Sequence, residues 1–164
     1  MDVSQTGSRL LLDVSAEECW SLAVTEPVGR LAWSGPAGPQ VVPVNFEVTD
    51  RRVLVRTAAY SALARECDDS PVAFEVDHYD AETRSGWSVV MRGHAHVDYS
   101  GGRGIHDPDV WAPGARALRV VIAVAVITRR RVSRPDRWPG SGQVIEQVRD
   151  AGAWSRRSPP GCGC

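Results

Sequence analysis

The sequence predicts a mainly β protein with short helices, folded as a closed or split β-barrel. Most of the chain consists of short stretches in which apolar and polar residues alternate with a period of two, the pattern of a strand with one buried face. The few helical segments are too short to cover both faces of a parallel sheet, so we expect antiparallel strands. With 164 residues, 43% of them hydrophobic, the chain can build one core. We expect this domain at residues 15–150, between an N-terminal extension at 1–14 and a disordered tail at 151–164.

Three helices are predicted. Ser15 and Glu18 have the spacing of a capping box, which places a helix over residues 16–23. Ser61 is a capping residue at the start of a second short helix, over residues 61–67. A third helix is predicted late in the chain, over residues 143–150.

The first strands form hairpins. Residues 29–35 and 41–48 are strand segments joined by a turn rich in glycine and proline, and a turn at 49–52 leads into a strand at 53–58. Pro43 has no backbone N–H, so it indicates that the second strand lies at an edge or beside a bulge. Alternation places four residues of the second strand on the core face: Val42, Val44, Phe46 and Val48.

Three further strands are predicted at residues 71–77, 86–99 and 118–130. Gly93 lies inside the middle one and is a candidate for a bulge that changes the register. One face of that strand is expected to carry Trp87, Val89, Met91, Ala95 and Val97.

Composition excludes several classes of protein. The net charge is −1, so no overall field favours nucleic acid or an anionic membrane, and neither partner is expected. All nineteen basic residues are arginines. The chain therefore has neither a Schiff-base lysine nor the lysine of a P-loop.

The chain is expected to be cytoplasmic. Its longest apolar run, at residues 120–127, has eight residues, whereas a membrane-spanning helix needs about 20. The N-terminus lacks the basic start, long apolar segment and small-residue cleavage site of a signal peptide.

Arg56 and Thr57 end one predicted strand, and Ser61 opens the helix that follows. A guanidinium offers a planar set of donors, hydroxyls add two more, and the start of a helix offers free amides. These groups suit a phosphate. The alternative is a surface arginine beside an ordinary helix cap.

The segment Pro43, Val44 and Asn45 combines a proline that cannot donate with a polar amide. An unpaired stretch of strand can present its own N–H and C=O groups to the polar edge of a planar heterocycle. The alternative for Asn45 is a hydrogen-bonded residue at a strand end.

Trp87 and Ser88 stand at the entrance of a predicted strand. The indole of Trp87 is large enough to cover one side of a flat ligand. The alternative is ordinary packing of this tryptophan in the core.

His94 and His96 share one strand face and could bind a metal with Asp98 or His78, but solvated imidazoles in a polar row are favoured. Cys162 and Cys164 form a Cys-x-Cys pair without a second pair at ligand spacing. No metal site is predicted.

Six segments together resemble the flavin-binding split-barrel family related to pyridoxamine 5′-phosphate oxidase, and they span residues 15–131. GWSVVMRG, from Gly86, and PVAFEVD, from Pro71, are the specific part of the resemblance. The remaining segments are GRLAW from Gly29, VVPVNF from Val41, VRT from Val55 and WAPG from Trp111.

The resemblance implies an FMN-binding split barrel and a homodimer with paired cofactor sites at its interface. It implies an oxidoreductase whose chemistry is carried by the flavin, with a small-molecule electron donor or acceptor. The implied phosphate contacts are Arg56, Thr57 and Ser61. The strand along the isoalloxazine would be Val42, Pro43, Val44 and Asn45, and Trp87, Ser88 and Val89 would complete the pocket.

The chain departs from the pyridoxamine-phosphate oxidases proper. Where those enzymes place an Arg-Lys pair after the capping serine, this chain has Ala62 and Leu63. Their C-terminal substrate-binding segment has no counterpart here, so pyridoxamine phosphate is not predicted as substrate. Two alternatives stay open: a deazaflavin-dependent reductase of the same fold, and a non-catalytic protein that binds flavin or haem, the latter with His78, His94 or His96 as axial ligand.

Overall fold

The computed structural model describes residues 15–100, 107–132 and 144–148, the last segment by its backbone alone. These ranges contain two helices, α1 (Ala16–Ala23) and α2 (Ala62–Glu66). They also contain seven strands: β1 (Val28–Gly35), β2 (Gly38–Thr49), β3 (Arg52–Thr57), β4 (Ser70–Asp80), β5 (Ser85–Asp98), β6 (Leu118–Val132) and β7 (Val144–Val148).

Six antiparallel strands close into a barrel. The hydrogen-bonded order is β3-β2-β1-β4-β5-β6-β7, and β3 also pairs with β6, which completes the ring. β3 pairs with residues 118–123 of β6, and β7 pairs with residues 127–131 of the same strand. β7 therefore extends the sheet outside the ring. The prediction of a mainly β split barrel is confirmed.

The core fills the barrel, and α1 packs against it. Fully buried side chains include Leu31, Phe74, Met91 and Ile122. Burying a side chain of this size contributes about 1.5–3 kcal/mol. From α1 the core receives Cys19, Trp20 and Ala23. Phe46 is buried as predicted, and the other three residues of its face, Val42, Val44 and Val48, pack against the core.

A bulge separates the two halves of β6. The register of the β5–β6 pair shifts at Gly93, which faces Val124 while Arg92 faces Val126, so Ala125 is the extra residue. A Cβ atom at Gly93 would lie 2.0 Å from the carbonyl oxygen of Ala123, so only glycine permits this approach. The predicted bulge is confirmed.

The predicted start signals and turns lie where expected. The Ser15 Oγ accepts from the N–H of Glu18 at 3.3 Å, and α1 covers the predicted residues. The turn between β2 and β3 has two consecutive positive φ angles, 47° at Asp50 and 59° at Arg51, the conformation of a tight hairpin turn.

The predicted helix over residues 143–150 is wrong, because Val144–Val148 form β7. The predicted total of three helices is therefore wrong for the described part of the chain. Val144 and Val148 are one helical turn apart, which mimics a helix, but Val144 and Ile145 are β-branched and favour a strand. After the bulge, β6 offers an open edge, and pairing along it satisfies the backbone of these residues.

Residues 1–14 and 151–164, including Cys162 and Cys164, lie outside the described residues. Within the described ranges, no helix has the length and apolar character needed to cross a bilayer.

Candidate functional site

A cleft opens where β2 extends beyond β3. β2 pairs with β3 only from Phe46 to Thr49, so residues 38–45 have β1 on one side and no strand partner on the other among the described residues. The predicted edge position of Pro43 is therefore confirmed. We call this space the β2 cleft; its volume is about 240 Å³. Its walls are Trp33, Val42, Pro43, Val44, Asn45, Arg56, Thr57, Ser61, Ala62, Leu63, Val110, Ala112 and Arg116.

One end of the β2 cleft carries two linked hydroxyls. The Oγ1 of Thr57 lies 2.8 Å from the Oγ of Ser61, which also accepts from the N–H of Ala64 at 3.0 Å and so caps α2. Since β3 ends at Thr57 and α2 starts after Ser61, the short connection between them places both hydroxyls at the cleft.

Arg56 lies at the same end and is largely buried, with 8% of its side chain exposed. Its guanidinium is 3.7 Å from the carboxylate of Asp107, which also lies 2.8 Å from Arg119. Arg119 in turn lies 3.4 Å from Asp98. These two arginines and two carboxylates balance one another in charge.

Arg116 adds a positive charge beyond this balanced group. Its Nε is buried and has no hydrogen-bond partner among the described residues. A buried donor without a partner costs about 1–3 kcal/mol, so a ligand that accepts from it gains affinity. Arg116 and Arg56 also line an adjoining space of about 460 Å³, which we call the arginine compartment. Its other walls are Asp107, Pro108, Asp109, Val110, Ala112, Gly114 and Ala115.

The strand wall of the cleft is apolar, and Asn45 is fixed at its end. The Nδ2 of Asn45 donates to the carbonyl of Pro27 at 3.1 Å, and its Oδ1 accepts from the N–H of Trp111 at 2.9 Å. The side chain of Asn45 is therefore engaged in holding two loops against β2. Any polar contact from this strand to a ligand would come from the free backbone edge.

The structure brings seven of the ten predicted site residues together in the β2 cleft. The other three, Trp87, Ser88 and Val89, lie on β5 and do not line it. Val89 is fully buried in the core and Ser88 is 2% exposed. Trp87 is half-buried, and its ring stacks with that of His78 at a centroid distance of 6.4 Å.

The three histidines considered as metal ligands, on β4 and β5, do not converge on one site. His94 lies 3.6 Å from Asp69, and His96 lies 3.4 Å from Asp68. His78 lies 3.0 Å from Glu26. The structure groups no three potential metal ligands anywhere in its described ranges. None of these three histidines lines the β2 cleft.

Among the residues that sequence reasoning missed are Trp33 and Arg116, which line the cleft, and Asp107, which lines the adjoining compartment. Trp33 is in a strand that the sequence predicted. In the structure it lies on the buried face of β1, and its Nε1 donates to Glu66 at 2.8 Å. Asp107 and Arg116 belong to a loop without regular pattern. Their position depends on the pairing of β3 with β6, which local sequence does not indicate.

Solved structures with a similar fold include two from one organism. One is the FAD binding protein of Mycobacterium smegmatis, with 31% identity and a TM-score of 0.57, covering 73% of this chain and 95% of that one. The other is a heme binding protein of the same organism, with 16% identity and a TM-score of 0.57, covering 81% of this chain and 57% of that one, a likeness of fold alone.

The sequence comparisons agree with the fold. The uncharacterized protein Rv0080 of Mycobacterium tuberculosis is 32% identical over 130 residues, which cover 76% of this chain and 81% of that protein. The family described as pyridoxamine 5′-phosphate oxidase matches residues 15–102, more than half of the chain. The chain therefore belongs to the pyridoxamine 5′-phosphate oxidase family.

Proposed function

We propose that the protein is a flavin-dependent oxidoreductase that binds FMN in the β2 cleft. One observation carries the proposal: a single cleft is lined by an apolar strand segment and also by two arginines and two hydroxyls. A flavin nucleotide has the same division, with a flat ring system at one end and a phosphate at the other. The similarity to an FAD binding protein supports a flavin.

The phosphate would lie against Arg56, Thr57 and Ser61. Arg56 is already paired with Asp107, so the additional charge that a phosphate dianion needs comes from Arg116. The buried Nε of Arg116 would gain the acceptor that it lacks among the described residues. Charge-assisted hydrogen bonds of this kind contribute about 1.5–3 kcal/mol each.

The ring system would lie along residues 42–45 of β2. Val42 and Val44 pack against the core and exclude water from one side of the ring. The unpaired backbone edge of this segment can donate to and accept from the polar rim of the ring. When bound, the flavin supplies hydride or single-electron transfer, and the protein supplies binding, orientation and a dry site.

The β2 cleft and the arginine compartment share Arg56, Val110, Ala112 and Arg116. Small-molecule sites usually have volumes of about 300–1,000 Å³. The phosphate of FMN would be the last group of that ligand and would lie against the contacts described above. FAD, or the anionic tail of a deazaflavin coenzyme, is longer and would extend into the arginine compartment. The dissociation constants of FMN, FAD and a deazaflavin coenzyme show which of the three the protein prefers.

A homodimer with paired sites is part of the proposal. Trp87 does not line the cleft of its own chain, so it would act on the cleft of a second copy, whereas the side chains of Ser88 and Val89 are buried. Trp87 keeps more exposed surface than Ser88 and Val89, and it is the contact that we propose. The proposed dimer is tested by light scattering, since a flavin-binding monomer would contradict it.

The first experiment is the visible absorption spectrum of the purified protein, followed by identification of the released pigment. Titrations with FMN, FAD and a deazaflavin coenzyme then give dissociation constants. The double variant Arg56→Ala with Ser61→Ala should bind FMN at least about tenfold more weakly, because it removes the phosphate contacts.

The matched control is Arg92→Ala with Ser34→Ala, which removes the same residue types from exposed positions outside the cleft. Full retention of FMN by the Arg56 and Ser61 double variant would refute the phosphate assignment. The protein would instead be a flavin carrier if its bound flavin is not reduced by a nicotinamide donor and, once reduced by dithionite, is not reoxidised by added acceptors faster than free flavin.

A further inference from the structure

A second cavity lies on the other side of Asn45, between the α1–β1 connection, β2 and the loop before β6. Its volume is about 320 Å³, and we call it the Trp111 cavity. It is distinct from the β2 cleft, with which it shares only Asn45. Its walls are Val24, Thr25, Glu26, Pro27, Asn45, Phe46, Glu47, Val48, Asp109 and Trp111.

Trp111 gives this cavity an open aromatic surface. The residue is 65% exposed, although burial of a tryptophan stabilises a protein. The loop that carries it is held in place, because the backbone N–H of Trp111 donates to the Oδ1 of Asn45 at 2.9 Å. The connection between α1 and β1 is also held, since the Nδ2 of Asn45 donates to the carbonyl of Pro27. The indole is therefore displayed on a preorganised wall of a cavity that the exposed Val24 also lines.

The ionisable groups of the cavity all carry the same sign. Glu26, Glu47 and Asp109 contribute carboxylates, and no arginine or histidine is among the described residues that line it. Glu26 also lies 3.0 Å from the imidazole of His78, which is outside the cavity. The π face of an exposed indole attracts a cation, and carboxylates attract it by direct charge pairing.

We propose that the Trp111 cavity binds an organic cation, an amine or ammonium group attached to an apolar or aromatic body. The cation would meet the carboxylates, and the apolar body would pack on Trp111 and Val24. A flavin phosphate would be repelled from the same cavity, whereas Arg56 and Arg116 attract it to the β2 cleft. The inference does not depend on flavin binding.

The test compares three probes of similar size at about pH 8, where an amine of this kind is protonated. They are 2-phenylethylamine, 2-phenylethanol and phenylacetate. Calorimetry or ligand-observed NMR should give binding of the amine, at least about tenfold weaker binding of the alcohol, and no binding of the carboxylate. Equal affinity for amine and alcohol, or any preference for phenylacetate, would overturn the proposal, as would failure of the amine to bind.

Variants locate the site. Trp111→Ala and Glu47→Gln should each weaken binding of 2-phenylethylamine, while the controls Tyr79→Ala and Glu82→Gln, at exposed positions elsewhere, should leave it unchanged. Glu47 is exposed on β2, so its substitution keeps the test valid even if Trp111→Ala impairs folding. Amine binding that survives both Trp111→Ala and Glu47→Gln would place it elsewhere and refute the assignment.

Discussion

The β2 cleft and the histidine face of β5 begin from similar sequence signals and end as different kinds of surface. Each offers polar side chains close together in sequence: Arg56 with Thr57 in one case, His94 with His96 in the other. In the cleft, β2, β3, α2 and a loop converge on one cavity, and Arg116 keeps a buried donor without a partner in the described part of the chain. On β5 each imidazole faces its own aspartate.

The difference teaches that spacing along one strand is a weak sign of a binding site. A strand places alternate side chains on one face whether or not a ligand exists. A site needs groups from several elements around a shared volume, with at least one of them left unsatisfied by the protein itself. Four predictions test how far this contrast extends.

The largest effect is expected from Arg116→Ala. Loss of its charge and its buried Nε donor should weaken flavin binding by about 10- to 100-fold, equivalent to about 1.5–3 kcal/mol. His96→Ala, on the other surface, should leave flavin affinity within about twofold. Fluorescence titration measures both. If the two variants weakened binding equally, the contrast between the surfaces would be lost.

Asp107→Asn should separate stability from binding. It leaves Arg56 and Arg119 without their shared carboxylate, which should lower the free energy of unfolding by about 2 kcal/mol. The same change frees positive charge at the cleft, so phosphate-bearing ligands should bind more tightly. Urea unfolding and FMN titration measure the two effects, and weaker FMN binding by a folded variant would argue against the proposed phosphate position.

Asp68→Asn probes the histidine face. The carboxylate of Asp68 accepts from the N–H of Val97 at 2.8 Å and from the hydroxyl of Tyr99 at 3.2 Å, and it lies near His96. The hydrogen bond from Val97 is the largest cause that holds the pKa of Asp68 below its usual value.

A depressed folded-state pKa stabilises the protein above the unfolded-state pKa, about 3.9, and this stabilisation is lost as the pH falls through the folded-state pKa. Asp68→Asn should therefore cost less than about 1 kcal/mol at neutral pH, since the group is partly exposed. The loss should shrink below about pH 4. A pH-independent loss, measured by urea unfolding of both proteins, would mean that the carboxylate charge is not involved.

The smallest effect is expected from zinc. Because each histidine on β5 is paired with a separate aspartate and no metal cluster forms in the described part of the chain, added zinc should not raise the melting temperature. A zinc-dependent rise that disappears in His94→Ala would show that the β5 histidines do form a metal site.

Most of the fold could be predicted from the sequence, because the signals for its helices, turns and bulge lie within short segments. The serine caps of α1 and α2, the turn at Asp50 and Arg51 and the bulge at Gly93 each follow from a few adjacent residues. The prediction failed at β7, where the edge offered by β6 decided the structure of a segment with ambiguous periodicity.

The candidate site was predictable where it lies on regular elements. Seven predicted residues of β2, β3 and the start of α2 meet in one cleft. Asp107 and Arg116 could not be predicted, because a loop brings them there after β3 and β6 pair across the chain. Trp87 and Ser88 were singled out at a strand entrance, their place in a cofactor pocket with Val89 came from the family resemblance, and that role stays a prediction.

The pairing of β3 with β6 has a consequence for the way in which the protein acquires a ligand. It pairs the backbones of Arg56 and Arg119 across the seam that closes the ring. Thr57, at the end of β3, and Arg116, just before β6, both line the β2 cleft. Because the two strands are far apart in sequence, their contact carries a high entropic cost and is expected to form late in folding. A chain that has not closed its barrel therefore has no cleft. A ligand bound in the cleft stabilises the pairing of β3 with β6, so it slows the opening of this seam and protects the amides of both strands from hydrogen exchange.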